Sequence, residues 1–153
     1  MNVELRIIKR NELKTAWLMQ KKGFLDIFLK YFDRNSPVLR TYKKFCNIFE
    51  RVDMYWIIYD NDVVGEIWIA EKNGVGYLAN IFVLKPYRNK GIAQKAIRKS
   101  ESLYPHFKIW RLDTIKQEEG NCHLYEKLGY VPTGNEKKIN KRMTIIDYDK
   151  RLT

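Results

Sequence analysis

The residues Val83-Leu84-Lys85-Pro86-Tyr87-Arg88-Asn89-Lys90-Gly91-Ile92-Ala93 close an apolar run, Tyr77–Val83, and open a helical pattern. A strand that ends in an Arg-x-x-Gly-x-Ala turn and passes straight into a helix gathers backbone N–H groups at a helix N-terminus. Unpaired amides and the positive end of the helix dipole point the same way there, so such a turn favours phosphate. Gly91 and Ala93 keep side-chain bulk away from the oxygens, and Arg88 and Lys90 add charge at the rim. Between Lys85 and Lys99 there are six basic residues and no acidic one. That balance fits a group with several phosphates better than a single carboxylate. Taken alone, the segment is equally well explained as a βα loop with solvated basic residues. Neither Gly-x-x-x-x-Gly-Lys-Ser/Thr nor a full Gly-x-Gly-x-x-Gly occurs in the chain.

A second segment decides between these. Asn121-Cys122-His123-Leu124-Tyr125-Glu126-Lys127-Leu128-Gly129-Tyr130 reads as a short helix that stops at Gly129. Leu124 and Leu128 are spaced to face a core, and Asn121 and Tyr125 to share a neighbouring face, where an amide and a phenol both point into a cleft. Together the two segments resemble the GNAT superfamily of acetyl-coenzyme A-dependent N-acetyltransferases. The resemblance implies that Arg88, Asn89, Lys90, Gly91, Ile92 and Ala93 hold the pyrophosphate of coenzyme A. It places Asn121 near the pantetheine arm and Tyr125 near the thioester sulfur. The arm would add as a pseudo-strand along the backbone of Ile81, Phe82 and Val83, whose side chains belong to the core.

Composition is consistent with a single globular domain, residues 1–153. The hydrophobic fraction is 45% with 14% aromatics, enough apolar surface for a core rather than a disordered chain. The longest apolar run, Met54–Tyr59, is too short to span a bilayer, and the first residues show no signal-peptide core. Cys46 and Cys122 read as reduced thiols, so the expected location is cytoplasmic. A net charge of +11 calls for anionic partners, coenzyme A first. The charge is spread along the chain, so a nucleic-acid partner stays open without being favoured, as does a homodimer. His106 and His123 lack metal-ligand spacing, and no metal is expected.

The expected fold is α/β (α+β): a mixed sheet of about six to seven strands, splayed between the fourth and fifth, with about four flanking helices. Val3–Ile8 alternates as a strand. A helical pattern runs from Asn11 to Tyr31 with Gly23 as an interruption, and a second helix is expected after Ser36-Pro37. Met54–Tyr59 and Val63–Glu71 form a hairpin around Asp60-Asn61-Asp62. Asn73-Gly74 turns the chain into Tyr77–Val83. A helix from Lys90 to Tyr104, the strand Ile109–Thr114, the Asn121 helix and strands at Tyr130–Thr133 and Arg142–Asp149 follow.

Acetyl transfer needs an extended thioester, a neutral amine and a proton for the departing thiolate. Tyr125 is the candidate general acid, since a phenol and a thiol have comparable basicity. The position at which some family members carry a glutamate base falls at Tyr77, which does not serve at neutral pH. Glu66, Glu71 and Asp113 are alternative bases acting through water, though each has the ordinary reading of a surface carboxylate. The acceptor is a small-molecule or protein amine. The other reading is a non-catalytic module binding acyl-coenzyme A or nucleic acid on the same fold. A hybrid, a toxin-type enzyme acting on aminoacyl-tRNA, suits the charge.

Overall fold

The computed structural model describes residues 2–152. The chain runs β1 (Val3–Ile7), α1 (Leu13–Gly23), α2 (Leu25–Tyr31), α3 (Tyr42–Phe49), β2 (Asp53–Tyr59), β3 (Asp62–Lys72) and β4 (Val75–Val83). It continues through α4 (Ile92–Leu103), β5 (Ile109–Ile115), α5 (Glu119–Lys127), β6 (Val131–Asn140) and β7 (Met143–Arg151). All seven strands join one sheet in the order β1-β2-β3-β4-β5-β7-β6. The sheet is antiparallel except at its centre, where β4 and β5 run parallel.

Two tight turns build the antiparallel half. Asp60 and Asn61 have φ of 47° and 73°, and Asn73 and Gly74 have 53° and 78°. Two successive positive-φ residues match the right-handed twist of the strands they join, and Asp, Asn and Gly accept that conformation at least cost. Alternation along the strands then divides the core. Met54, Trp56, Ile58 and Trp68 pack with Leu13, Ala16 and Phe45 beneath α1 and α3. Ile57, Ile67, Ile69, Leu78 and Val83 pack with Ile92, Ala96, Ile97, Leu112 and Leu128 beneath α4 and α5.

The parallel pair is short. Only Gly76↔Trp110 and Tyr77↔Arg111 are in register between β4 and β5, while β4 stays paired with β3 through Val83. One edge of β4 is therefore open beyond Tyr77. The pairing with β3 also slips there, from Trp68↔Asn80 to Ile69↔Leu78. Such a bulge bends the strand and raises its twist, which drives the two halves of the sheet apart.

Three details depart from the sequence reading. The pattern over Asn11–Tyr31 is two helices that meet at Gly23, so among the described residues five α-helices flank the sheet. A Cβ on Gly23 would lie 2.1 Å from a ring carbon of Phe82, so only glycine lets α1 end this close to β4. Ser36-Pro37 starts a single 3-10 turn, Pro37–Leu39, and the helix begins instead at Tyr42, where Thr41 Oγ1 accepts from Lys44 N at 3.2 Å. The carbonyls of Val38 and Arg40 are occupied by Lys21 Nζ, at 2.7 and 3.1 Å, and by Trp17 Nε1. Those bonds hold the segment out of a helix. Finally, β6 continues to Asn140 rather than ending at Thr133, because Glu136–Lys138 resume pairing with β7 after a register slip. An edge strand made mostly of exposed polar residues has no apolar alternation to reveal it.

Candidate active site

The open edge of β4 forms one wall of a cavity of about 490 Å³. The strand contributes Ile81, Phe82 and Val83; the following turn contributes Arg88, Asn89, Gly91, Ile92 and Ala93; α5 contributes Asn121, Leu124 and Tyr125. Two segments far apart in sequence thus face one space. Lys90 is exposed and does not line it.

The turn at the base of the cavity is built from two left-handed residues. Asn89 has φ of 62° and Gly91 of 77°. Gly91 is the residue before the first turn of α4, and no side chain caps that helix. The amides of Ile92, Ala93 and Gln94 are therefore free to meet a ligand, with the dipole of a twelve-residue helix behind them.

Arg88 does more than add charge. Its Nε donates to Val83 O at 2.8 Å, its Nη2 to Gly23 O at 3.0 Å, and its Nη1 to Asp26 Oδ2 at 3.3 Å. One guanidinium joins the end of β4 to the α1–α2 junction. Gly23, Phe24, Asp26, Ile27 and Lys30 of that junction complete the cavity. Opposite, Lys30 Nζ donates to Glu118 Oε2 at 2.7 Å, the Tyr31 hydroxyl donates to the same carboxylate, and Asn140 Nδ2 donates to Tyr31 O at 2.9 Å. Helix α2 is thereby strapped across the splay from β4 to α5 and β6. None of these α1–α2 residues was legible as site residues in the sequence; Gly23 was the single irregularity that pointed to the junction.

Tyr125 is 7% exposed and stacks edge-on to Tyr130 with ring centroids 6.3 Å apart. Among the described residues its hydroxyl has no hydrogen-bond partner. Burial, and then Cys122 and Asp113, push the phenol up to about 12. It stays protonated across the working pH range as a hydrogen-bond donor facing the cavity. Leu124 also lines the cavity, while Leu128 is buried in the core.

The alternative bases are placed differently from one another. Glu71 is exposed at the far end of β3, beside Gly76. Asp113 is exposed and faces Asp147 across the β5–β7 ladder. Glu66 is not a surface carboxylate but wholly buried. Its Oε1 accepts from Gln20 Nε2 and from Trp68 Nε1, both at 3.1 Å. Burial raises its pKa to about 8 against the pull of those two donors. It does not line the cavity. The Tyr77 hydroxyl accepts from Arg111 Nη1 at 3.2 Å, and Arg111 is itself held bidentately by Asp149. Cys46 and Cys122 are free thiols. Among the described residues no three His, Cys, Asp or Glu side chains gather as metal ligands, and no helix is long and apolar enough to cross a membrane.

A mixed sheet that parts at its one parallel pair, with a helix N-terminus at the parting, defines a fold that receives an extended, phosphate-bearing donor. Residues 17–130 match the model of the acetyltransferase (GNAT) family, and the chain belongs to that family. No curated protein sequence matches the chain. Among solved structures, the PaiA N-acetyltransferase of Thermoplasma acidophilum in complex with coenzyme A aligns with a TM-score of 0.76 at 14% identity, over 99% of this chain and 100% of that one. The spermidine N-acetyltransferase of Vibrio cholerae in complex with CoA and spermine gives 0.76 at 16% identity, over 98% and 95%. A GNAT acetyltransferase of Elizabethkingia anophelis with acetyl-CoA bound gives 0.66 at 14% identity, over 99% of each chain. At these identities the likeness is one of fold.

Proposed function

We propose that this acetyltransferase moves the acetyl group of acetyl-coenzyme A to a primary amine of a small molecule or protein. The observation that carries the reading is the shared cavity. The unpaired amides at the start of α4, the open edge of β4 and the Tyr125 phenol all face it. Asn89, Gly91, Ile92 and Ala93 receive the pyrophosphate, with Arg88 holding the turn in place and Lys90 contributing charge from outside. The pantetheine arm lies along the backbone of Ile81, Phe82 and Val83 in the manner of an added strand, with Asn121 beside it. As the amine nitrogen bonds to the acetyl carbon, the carbon–sulfur bond breaks. The phenol of Tyr125 supplies the proton that the sulfur takes up, and the amine releases one of its own to solvent. A phenol pushed up to about 12 is a weaker acid than the departing thiol, so it stabilises the thiolate as a hydrogen-bond donor and passes its proton to the sulfur only as it takes one back from solvent.

The test is release of coenzyme A thiol from acetyl-coenzyme A across polyamines, amino acids, lysine peptides and aminoacyl-tRNA. Turnover with one class names the acceptor. Binding of acetyl-coenzyme A with no thiol release above hydrolysis on any of them would leave the protein a binding module.

A further inference from the structure

The cavity is balanced in charge although the chain is not. Among the described residues, the charged side chains that line it are Asp26, Glu118, Arg88 and Lys30. They pair off, Arg88 Nη1 with Asp26 Oδ2 at 3.3 Å and Lys30 Nζ with Glu118 Oε2 at 2.7 Å. Lys85, from outside the cavity, also reaches Asp26 at 3.8 Å. In a chain of net charge +11, a phosphate site that keeps no surplus cation of its own calls for an explanation.

The two cavity cations differ in their freedom to change partners. Every nitrogen of Arg88 is bonded within the protein, two of them to the carbonyls of Val83 and Gly23. Turning the guanidinium toward a ligand would undo the join between β4 and the α1–α2 junction, so Arg88 is a brace. Lys30 is bonded to one carboxylate and stands 5.4 Å from the centre of the Tyr31 ring. Its side chain is 60% exposed against 19% for Glu118, so the lysine is the partner with room to move. An ammonium on a four-carbon stem re-aims its donors freely. Glu118 does not depend on it alone, because the Tyr31 hydroxyl donates to the same oxygen. When the lysine leaves, the carboxylate keeps a donor and α2 stays tied to α5.

Resting on the coenzyme A reading above, we propose that Lys30 is a cofactor-binding residue: as the cofactor enters, its ammonium leaves Glu118 and pairs with the pyrophosphate held by the amides at the start of α4. Lys30 and that helix start line the same cavity. The exchange gives one ion pair for another, and the pyrophosphate carries more charge than the carboxylate it replaces. Glu118 is then a competitor that neutralises Lys30 while the site is empty.

The test is a double-mutant cycle read by calorimetry with coenzyme A. Lys30→Met keeps the stem and removes the cation; affinity should fall about fivefold or more, the scale of one partly exposed charge-assisted hydrogen bond. Glu118→Gln removes the competitor and should raise affinity by about twofold or more. In the Lys30→Met background the same change should give a smaller gain, since only its repulsion of the phosphates is then relieved. A strap of purely structural use loses the same ion pair in either single variant and predicts loss of affinity in both. A long-range field effect of Lys30 disappears between about 0.1 and 0.5 M salt, whereas a direct contact persists. Melting curves identify a variant that fails to fold, and Lys30→Gln or Glu118→Ala then takes its place. A smaller loss in Lys30→Met, a loss that vanishes in high salt, or a Glu118→Gln gain that is absent or no larger with Lys30 than without it would overturn the proposal. A wild type that does not bind coenzyme A defeats the coenzyme A reading itself, and this one with it.

Discussion

Tyr125 carries a buried ring and a hydroxyl without a partner among the described residues, so Tyr125→Phe removes the proton donor and keeps the packing against Tyr130 and Tyr148. We expect kcat to fall by roughly ten- to a thousandfold with coenzyme A affinity and melting temperature little changed, as steady-state kinetics and calorimetry would record. A wild-type rate in the folded variant would remove the phenol from the mechanism. Glu66 makes a prediction of a different kind. Its folded pKa of about 8 lies above the ordinary value of 4.5. The folded state therefore holds a proton that the unfolded chain releases between those two pH values. Stability from this group is full below about pH 4.5, declines as pH rises toward 8 and is flat beyond, a loss of up to about 5 kcal/mol. Glu66→Gln does not titrate. Its melting temperature should gain on the wild type by several degrees between pH 5 and 8.5, and parallel curves would show that the carboxyl is not protonated in the fold.

At the scale of elements, two junctions shape the cleft. The first is the start of α4, where Gly91 sits at φ 77°. Gly91→Glu forces a side chain into a conformation that costs about 1 kcal/mol or more and sets a carboxylate against the pyrophosphate. Coenzyme A affinity should drop at least about tenfold by calorimetry; unchanged affinity in a folded variant would move the cofactor elsewhere. The second is the end of α1. Gly23→Ala drives a methyl into the Phe82 ring, which itself packs against Phe24 at 5.3 Å between centroids. Overpacking of this kind destabilises by about 1–3 kcal/mol. Because Phe82 lines the cavity, KM for acetyl-coenzyme A should rise along with the loss in melting temperature. An Ala variant as stable and active as the wild type would show that the junction yields freely.

At the scale of the whole molecule the net charge of +11 favours anionic ligands at long range, and salt separates the kinds. Coenzyme A held by backbone amides should weaken only moderately from about 50 to 200 mM salt, since short-range contacts are less screened than Arg88 or Lys90. A nucleic acid held by surface lysines would weaken log-linearly and by orders of magnitude. Titration of both ligands against salt decides. Tight, steeply salt-dependent RNA binding without turnover of any amine would favour the binding module over the enzyme.

Local chemistry was readable along the chain wherever backbone conformation or apolar period dictates it. The turns at Asp60-Asn61 and Asn73-Gly74, the Arg88–Ala93 turn into a helix, and the helix closed by Gly129 each depend on residues a few positions apart. The tertiary structure alone decided what meets what. Gly23 touching Phe82, α2 strapped to Glu118 and Asn140, and Glu66 buried under Gln20 join residues 46 to 109 positions apart. No local propensity encodes such contacts. The same holds for Arg88, whose basic charge was evident but whose three carbonyl and carboxylate partners exist only once α1, α2 and β4 have packed. A polar residue reads as solvated surface until the fold supplies its partner, so the motif was visible in the sequence while the roof of the cavity and the buried polar chain behind it were not.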